Sequence, residues 1–485
     1  MNFNDLLYIL QKESVEKFEK YPENMISGFA VEAADSNGKI FFSLSKLDFR
    51  DNFFRGDPHE SINLITAAFF VGAVLCVVRK ESYYLNERAL YRFRNRIIIV
   101  DDVIKVLQKL ASYLYRENPI PVIGITGSAG KTTTKDMIST VLNKFEKRAL
   151  VSKGNQNNGI GLPMSISQLG NRSDYEIAVL EMGMSCPGGE IKRLCSIAPP
   201  SISVLLNILP IHLENFGTIH QIAEGKAEIF TYMAPSGFGV LNADDPLISE
   251  DMVSTDNYVS FGHSINADFQ ARDVTLDLYS SRFKLRTPSN EFEVNLNVPG
   301  RQNIMNALAT IAVCDRLKLP QPEVISYLAS YVGTPQRGVI HNLPNRMTLI
   351  DDTYNSNPYS LIFAVETADR IAVKKGRLIL IAGEMLEMGA DEDSLHYETG
   401  CAVALPSIYL LVGMGRMMDY FLNGFSSKSD AKTILCDNVD DIVKHVIGEA
   451  VAGDVILVKG SRRSRLERVV QAIHLHFQRF TERAL

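Results

Sequence analysis

The stretch VIGITGSAGKTTTKDMIST, residues 122–140, constrains the fold of this chain more than any other part of its 485 residues. Its first residues are mostly valine and isoleucine, which is typical of a buried strand, and the residues after Lys131 follow a helical pattern. Gly127 and Gly130 permit a tight loop in between, whose backbone N–H groups converge at the positive end of a helix dipole. The stretch therefore predicts a phosphate-binding loop. It is shorter than the standard Walker pattern, because isoleucine stands at 125, where the first glycine of that pattern belongs.

A loop of this kind binds nucleotide phosphates through its backbone, with a lysine charge near the β- and γ-phosphates and a threonine hydroxyl on Mg²⁺. Lys131 and Thr132 have these positions here. We expect the nucleotide to contact the residues of the loop, which are Gly127, Ser128, Ala129, Gly130, Lys131, Thr132 and Thr133. An ordinary strand-to-helix turn would have no need of two glycines, a lysine and three threonines together.

Further polar residues follow the next two apolar runs. Glu181 ends the strand-like run IAVLE, at the edge where a parallel sheet presents its ligands, and is a candidate Mg²⁺ ligand. Asn207, His212 and Lys226 follow the run ISVLL. Each has an ordinary alternative when taken alone: a capping or solvated carboxylate for Glu181, a structural histidine for His212 and a solvated helix charge for Lys226.

Apolar runs alternate with helical patterns along most of the chain, which predicts an α/β protein with three domains. Prolines and glycines in NPIPVIG and YVGTPQRGV mark the two boundaries. We expect a small N-terminal α/β domain over residues 1–118, a central domain over 119–332 and a Rossmann-like α/β domain over 333–485. The central domain should contain a mostly parallel, P-loop-type sheet with helices on both faces.

The composition limits the partners of the chain. Its 50 basic and 56 acidic side chains give a formal net charge of -6, which argues against a broad surface for nucleic acid or anionic membranes. Residues 1–20 mix charges with apolar residues, and no run elsewhere is long and apolar enough to span a membrane. The six cysteines are scattered without CxxC pairs, which favours reduced thiols. We expect a cytoplasmic monomer that acts on small molecules, without membrane insertion.

Seven motifs follow one another along the chain: GSAGKTTTKDM, GNQNNGIGLP, EMGMSCPGGEI, NILPIHLENFGTIHQIAEGKAEIF, PGRQNIMNALA, DDTYNSNP and VKGSR. In these motifs and their order the chain resembles the Mur ligases. The resemblance implies an ATP-dependent acid–amino-acid ligase of peptidoglycan synthesis. The product of such an enzyme is needed for cell shape and cell division. ATP, UDP-N-acetylmuramoyl-tripeptide and D-alanyl-D-alanine are the implied substrates. DDTYNSNP and GEMLEMG, without a DNPR segment, favour this dipeptide over diaminopimelate or lysine.

The resemblance also implies two Mg²⁺ sites. Lys131 and Thr132 would hold the ATP phosphates and the first ion, with Glu181 as a further ligand of that ion. His212 would bind the second ion together with a CO₂ adduct of Lys226, a carbamylated lysine. Two ions that bracket the γ-phosphate and an acyl oxygen would stabilise both ends of an in-line displacement.

Residues from two domains are implied around the nucleotide and the substrates. Asn303 and Asn306 would contact the adenine, and Arg337 and Asp352 of the third domain would complete the ATP site on closure. The implied catalytic set is Lys131, His212, Lys226 and Arg337. The implied substrate contacts are Asn157 and Asn158 for the muramyl peptide, and Tyr354, Asn355, Asn357 and Glu384 for the incoming amine. A substrate carboxylate would attack ATP, and the amine would displace phosphate from the resulting acyl phosphate.

The chain departs from the family pattern at several positions. Val31, Glu32 and Ala33 stand where family members carry Asp-Ser-Arg in the domain that binds the uridine nucleotide. Ala129, Gln302 and Glu384 replace a frequent asparagine, histidine and aspartate. Two alternatives therefore stay open: a ligase of the same fold that uses another carboxylate and amine, and a catalytically silent ATP-binding subunit.

Overall fold

The computed structural model describes residues 3–16, 26–52, 54, 60–170, 174–211, 213–253 and 256–482. These residues form three sheets of four, nine and six strands, arranged in chain order. None of the helices in these ranges has the length and apolar character needed to cross a bilayer. The predicted α/β class with mostly parallel sheets is confirmed.

The first sheet is parallel and has the strand order β1-β2-β3-β4. Its strands are β1 (Phe29–Ala30), β2 (Ile40–Ser43), β3 (Leu75–Arg79) and β4 (Ile97–Val100), and its helices are α1 (Phe3–Glu13), α2 (Lys46–Asp51), α3 (Ile65–Val71), α4 (Lys80–Leu90) and α5 (Val103–Glu117). The runs KIFFSL and AVLCVVRK form β2 and β3, as expected from their β-branched and aromatic content.

Helix α5 joins the first sheet to the second. Asp102 caps it by accepting a hydrogen bond from the Lys105 N–H at 2.9 Å, and its buried face includes Leu107 and Leu110. These side chains belong to one apolar cluster that extends from Leu6 of α1 to the next helices of the chain. At the proline-rich boundary after α5 the chain passes from the first sheet to the second, and the apolar core is continuous across it.

The second sheet has the order β13-β12-β11-β10-β9-β8-β5-β7-β6. Its strands are β5 (Val122–Thr126), β6 (Ala149–Val151), β7 (Ile177–Glu181), β8 (Ile202–Leu205), β9 (Phe238–Asn242), β10 (Tyr258–Gly262), β11 (Phe269–Leu276), β12 (Ser281–Arg286) and β13 (Glu291–Leu296). Its helices are α6 (Lys131–Lys144), α7 (Gly161–Ile166), α8 (Glu190–Ile197), α9 (Leu213–Phe216), α10 (Ile219–Thr231), α11 (Arg301–Arg316) and α12 (Gln321–Leu328). Strand β5 lies centrally between β7 and β8, so the loop after it opens where three parallel strands end. The antiparallel extension β11-β12-β13 was not predicted.

The third sheet has the order β14-β15-β19-β16-β17-β18, parallel except at β14. Its strands are β14 (Val339–Asn342), β15 (Thr348–Asp352), β16 (Leu378–Gly383), β17 (Ile408–Met414), β18 (Lys432–Cys436) and β19 (Val455–Lys459), and its helices are α13 (Pro358–Lys375), α14 (Glu392–Ala402), α15 (Met418–Ser426), α16 (Val439–Glu449) and α17 (Glu467–Glu482). Alternate residues of β16 enter different apolar clusters, Leu378 and Leu380 on one face and Ile379 and Ile381 on the other. Both faces are therefore covered, as a parallel sheet requires.

Candidate active site

The loop between β5 and α6 has backbone angles that favour glycine at two positions. Gly127 has φ +150° and Gly130 has φ +86°. A Cβ atom at Gly130 would overlap Asn306 Oδ1, and one at Gly127 would lie 2.9 Å from Leu206 Cβ. The loop therefore has the tight conformation that the sequence predicts, with Lys131 as the first residue of α6.

Asn207, at the end of β8, holds this loop in shape. Its backbone oxygen accepts from the Ser128 N–H at 3.0 Å, and its Oδ1 accepts from the Ala129 N–H at 2.8 Å. Its Nδ2 donates back to the Ala129 carbonyl at 3.1 Å. The sequence singled out Asn207 without giving it a role. The structure makes it a clamp that fixes the loop before any ligand binds.

Lys131 folds back over the loop that precedes it. Its Nζ donates to the Gly127 carbonyl at 2.6 Å. Burial lowers the pKa of Lys131 to about 8, an effect that Glu181 opposes and the Arg337 charge reinforces. A phosphate bound beside this buried lysine would stabilise its charged form, so the interaction between the two is favourable.

Glu181 is almost fully buried and pairs with a lysine that the sequence analysis missed. Lys135 Nζ lies 3.2 Å from Glu181 Oε1, and both side chains are at most 4% exposed. Lys135 also donates to the Ser152 carbonyl at 2.9 Å, and Asn157 Nδ2 donates to Glu181 Oε2 at 3.4 Å. The solvated alternative for Glu181 is therefore wrong. Lys135 lies one helical turn after Lys131, a spacing that placed it on the same side of α6.

The two expected muramyl-peptide contacts differ in their surroundings. Asn157 faces Glu181, and its carbonyl accepts from the Gly183 N–H at 2.7 Å. Asn158 Oδ1 accepts from the backbone N–H groups of Ile160 and Gly161, at 3.1 and 2.9 Å. The amide oxygen of Asn158 is therefore used to start helix α7.

Lys226 lies on α10 and is 2% exposed, so the alternative of a solvated helix charge is wrong. Burial lowers its pKa well below the usual value, the Lys131 charge adds to this, and Glu190 opposes it. Glu190 itself accepts from the Cys186 N–H at 3.0 Å. None of the ion pairs between described residues includes Lys226. His212, the expected partner of Lys226 at a second metal, lies outside the described residues.

The third sheet brings charged groups to the loop. Arg337 Nη2 donates to Thr132 Oγ1 at 3.0 Å, and its guanidinium lies 4.1 Å from the centre of the Tyr354 ring. Asp352 pairs with Lys459 at 2.6 Å. Burial raises the pKa of Asp352, and the Lys459 charge opposes the rise. Lys459 belongs to the motif VKGSR, which the sequence analysis quoted without giving this residue a role.

A cavity of about 230 Å³ lies between the second and third sheets. Of the residues expected at the nucleotide and the amine, it is lined by Ser128, Ala129, Gly130, Thr133, Asn303, Asn306, Arg337, Asp352, Tyr354, Asn355 and Asn357. Several of these side chains are already engaged. Besides the contacts of Arg337 and Asp352 given above, Asn303 donates to the Pro299 carbonyl at 2.7 Å, Asn306 accepts from Thr134 at 3.3 Å, and Asn357 caps α13. Glu181, Lys226 and Glu384 do not line this cavity.

Glu384 begins a segment that His396 holds in place. The His396 Nε2 accepts from the Met385 N–H at 3.0 Å, and its Nδ1 lies 2.6 Å from the Glu392 carbonyl, to which it donates. His396 is fully buried, and burial lowers its pKa. The sequence analysis missed this residue, because nothing in the local pattern around it indicates which backbone it meets.

Fold and site together define a multidomain α/β nucleotide-binding protein, whose phosphate loop is reached by an arginine from the segment just before the third sheet. Residues 125–314 match the family model described as Mur ligase middle domain, and residues 337–462 match that described as Mur ligase, glutamate ligase domain. The chain belongs to the Mur ligase family.

Relatives and a solved structure agree with this. The UDP-N-acetylmuramoyl-tripeptide–D-alanyl-D-alanine ligase of Escherichia coli (strain K12) is 31% identical, over 78% of this chain and 82% of its own. The enzyme of the same name from Bacillus subtilis (strain 168) is 32% identical, over 77% and 80%. The crystal structure of MurF ligase from Thermotoga maritima in complex with ADP superposes with a TM-score of 0.77 at 26% identity and covers 94% of this chain and 99% of that one.

Proposed function

We propose that this chain is an ATP-dependent ligase that joins D-alanyl-D-alanine to UDP-N-acetylmuramoyl-tripeptide in peptidoglycan synthesis, giving ADP and phosphate. The relatives that carry this name match more than three quarters of the chain, and the Thermotoga maritima relative binds ADP. The observation that carries the proposal is the contact between Arg337 and Thr132, which places a third-domain cation at the phosphate loop.

The residues of the chain support the two steps of such a reaction. An oxygen of the substrate carboxylate attacks the γ-phosphorus and ADP leaves. The amine then attacks the acyl carbon of the acyl phosphate, loses a proton and displaces phosphate. Lys131 and Arg337 supply positive charge where charge spreads over the transferred group. The third domain excludes water, which would otherwise hydrolyse the acyl phosphate.

The described donors fit one Mg²⁺. The Thr132 hydroxyl and the Glu181 carboxylate are oxygen ligands of the kind this ion prefers. Glu181 Oε1 is buried and lies 3.2 Å from Lys135 Nζ without an aligned hydrogen bond from any described residue, so a lone pair of this oxygen can still face an ion. A bound ion would offset negative charge on the phosphates.

A second ion and the carbamylated lysine have less support. Among the described residues no group of three or more His, Cys, Asp or Glu side chains is suited to a metal, and His212 lies outside them. The comparisons do not support a CO₂ adduct on Lys226. That adduct stays a prediction, and a carbamate carbon signal after incubation with ¹³C-bicarbonate, lost in Lys226→Met, is the measurement that checks it.

The finer expectations about organisation belong to the same proposal. The division at residues 118/119 and 332/333 is supported by the three sheets, each of which lies within one of the proposed domains. A cytoplasmic location agrees with a protein that uses ATP and a nucleotide-linked peptide, and the monomeric state stays a prediction.

Phosphate release tests the function. Purified protein is incubated with ATP, Mg²⁺, UDP-N-acetylmuramoyl-tripeptide and D-alanyl-D-alanine, and each component is omitted in turn. We expect release that needs every component, that Lys131→Ala abolishes and that Lys147→Ala keeps. Lys147 is the matched control because its exposed side chain pairs with Glu176 on the same domain.

Three results would contradict the proposal. Full release by Lys131→Ala would remove the phosphate loop from the reaction. No release by wild-type protein that still binds ATP would favour the ligase with another carboxylate, for which Val31, Glu32 and Ala33 are the motive. ATP binding without release for any carboxylate and amine would favour the silent subunit.

A further inference from the structure

The segment between the second and third sheets is attached to the phosphate-loop helix at two points. Arg337 donates to Thr132 Oγ1 at 3.0 Å. Thr334 Oγ1 donates to Asp136 Oδ2 at 2.6 Å. Thr132 and Asp136 are four residues apart on α6, so both contacts fall on one side of that helix.

The Thr334 contact is part of a short chain of hydroxyl groups. Thr334 Oγ1 also lies 2.8 Å from the Tyr331 hydroxyl, and both residues are buried. The Thr334 carbonyl accepts from the Arg337 N–H at 3.1 Å, which closes a turn that ends at the arginine. The position of the Arg337 backbone is therefore tied to the Thr334 side chain through one turn.

The backbone on either side of Thr334 has no regular structure to fix it. Gly333, Gln336 and Gly338 have φ values of +98°, +63° and +72°. The two glycines can change their backbone angles at small cost. Positions of this kind are typical of a segment about which domains move. The turn is held from two sides: Thr334 bonds to Asp136 of α6, and the Gln336 carbonyl accepts from the Tyr354 N–H at 3.1 Å beside the third sheet.

We propose that Thr334 is a positioning residue: its hydrogen bond to Asp136 fixes the point from which Arg337 reaches the phosphate loop. This rests on the proposed function, in which Arg337 contacts the ATP phosphates. Asp136 is three-tenths exposed and lies 3.4 Å from Lys135, so its charge does not depend on Thr334. The hydroxyl therefore orients the turn, and no step of the chemistry passes through it.

The test measures the affinity for a non-hydrolysable ATP analogue with Mg²⁺ by calorimetry, which needs neither organic substrate. Thr334→Val removes the hydroxyl at equal size, and Thr334→Ser keeps it. Ser330→Ala is the matched control, because Ser330 is exposed in the same region and its hydroxyl bonds, among the described residues, only to the Tyr327 carbonyl. Each variant is also made in an Arg337→Met background, and melting curves check its folding.

We expect Thr334→Val to weaken binding about tenfold, the loss of one hydrogen bond to a charged group. Thr334→Ser and Ser330→Ala should stay within about twofold of wild type. In the Arg337→Met background Thr334→Val should add nothing, because Thr334 acts through that arginine. A purely structural role would give the same loss in both backgrounds.

The proposal is overturned if Thr334→Val binds the analogue as wild type does, or if its loss persists in full without Arg337. Failure of the ligase function would give a different result. No phosphate would be released with these substrates, but Thr334→Val would still weaken analogue binding only when Arg337 is present. The two failures are therefore distinguishable in one set of proteins.

Discussion

Three lysines near the loop have different environments. Lys131 reaches back to the Gly127 carbonyl, Lys135 pairs with Glu181, and Lys226 is buried on α10 without an ion pair among the described residues. Buried charges of one sign are costly unless an anion offsets them. Because Glu181 offsets Lys135 and burial lowers the pKa of Lys226 well below its usual value, Lys131 is the one of these three lysines whose charge a bound phosphate would offset.

The lowered pKa of Lys131 predicts proton uptake on nucleotide binding. Near pH 7 the amine is already charged. At about pH 9 most of it is neutral, since its pKa is about 8, and bound phosphates should raise that pKa so that a proton is taken up. Calorimetry in two buffers of different ionisation enthalpy should give different binding heats at the higher pH and equal heats at the lower. Equal heats at both would contradict the burial of Lys131, and Lys226→Met should keep the effect.

The lowered pKa of Lys131 also makes the stability of the fold depend on pH. Between the folded pKa of Lys131, about 8, and its higher unfolded value, the unfolded chain binds the proton and the folded chain does not. The contribution of this lysine to the free energy of unfolding therefore rises with pH through that window and is constant below it.

Breaking the Lys135–Glu181 pair should be costly. Lys135→Met leaves a buried carboxylate without its cation, which typically destabilises by about 3–5 kcal/mol and should lower the melting temperature by roughly 6–10 °C. Lys147→Met, which breaks an exposed pair with Glu176, should change it little. Adding Glu181→Gln to Lys135→Met should restore most of the loss. Equal melting curves for the two lysine variants would show that the pair is solvated.

At the scale of elements, the runs with the strongest local pattern formed where the sequence placed them. The run before the phosphate loop was recognised because a parallel strand covered on both faces is a nearly continuous apolar run. Strands β11 to β13 were missed because charged residues interrupt their apolar residues. In β12, exposed Arg282 and Lys284 alternate with buried Phe283 and Leu285. Their alternation of period two was the signal that could have found them.

The segment that starts at Glu384 and helix α14 form one unit through His396. Burial lowers the pKa of His396. As the pH falls below about 6.5 the unfolded chain takes up a proton that the folded chain refuses, so the free energy of unfolding falls. Protonation would also remove the acceptor of the Met385 N–H.

This predicts an acid-sensitive third domain. Between about pH 7 and about pH 5.5, the melting temperature of wild-type protein should fall more than that of His396→Gln, which keeps a hydrogen-bonding side chain but has no titrating group. His445→Gln is a control on the same domain. If the melting temperatures of wild type and His396→Gln fall equally as the pH is lowered, this histidine does not control the loss of stability in acid.

At the scale of the whole molecule, the contacts between the second and third domains include two that bear on the site. One is the contact of Arg337 with Thr132. The other is Gly389, φ +81°, where an added Cβ would lie 3.1 Å from the backbone nitrogen of Glu214 on α9. The first contact lies at the phosphate loop, and the second lies beside the segment expected to receive the amine.

Gly389→Ala should therefore hinder closure of the domains. It adds left-handed strain and crowds a backbone that cannot rotate away, so we expect phosphate release to slow about tenfold. Gly188→Ala is the matched control: Gly188 has φ +115° with nothing within 4 Å of an added Cβ. A rate for Gly389→Ala equal to that of Gly188→Ala would mean that this contact is not part of the working state.

The glycine-rich loop after β5, the alternation of strands and helices, the most apolar strands and the family could all be predicted from the sequence. These depend on short-range properties: apolar periodicity, glycine backbone angles and residues a few positions apart. Only the tertiary structure decided which charged groups meet. Lys135 faces Glu181, Lys459 pairs with Asp352 across 107 positions, and Arg337 reaches Thr132 across 205. Such pairs depend on which strand ends lie side by side, and that is fixed by the packing of whole sheets and helices.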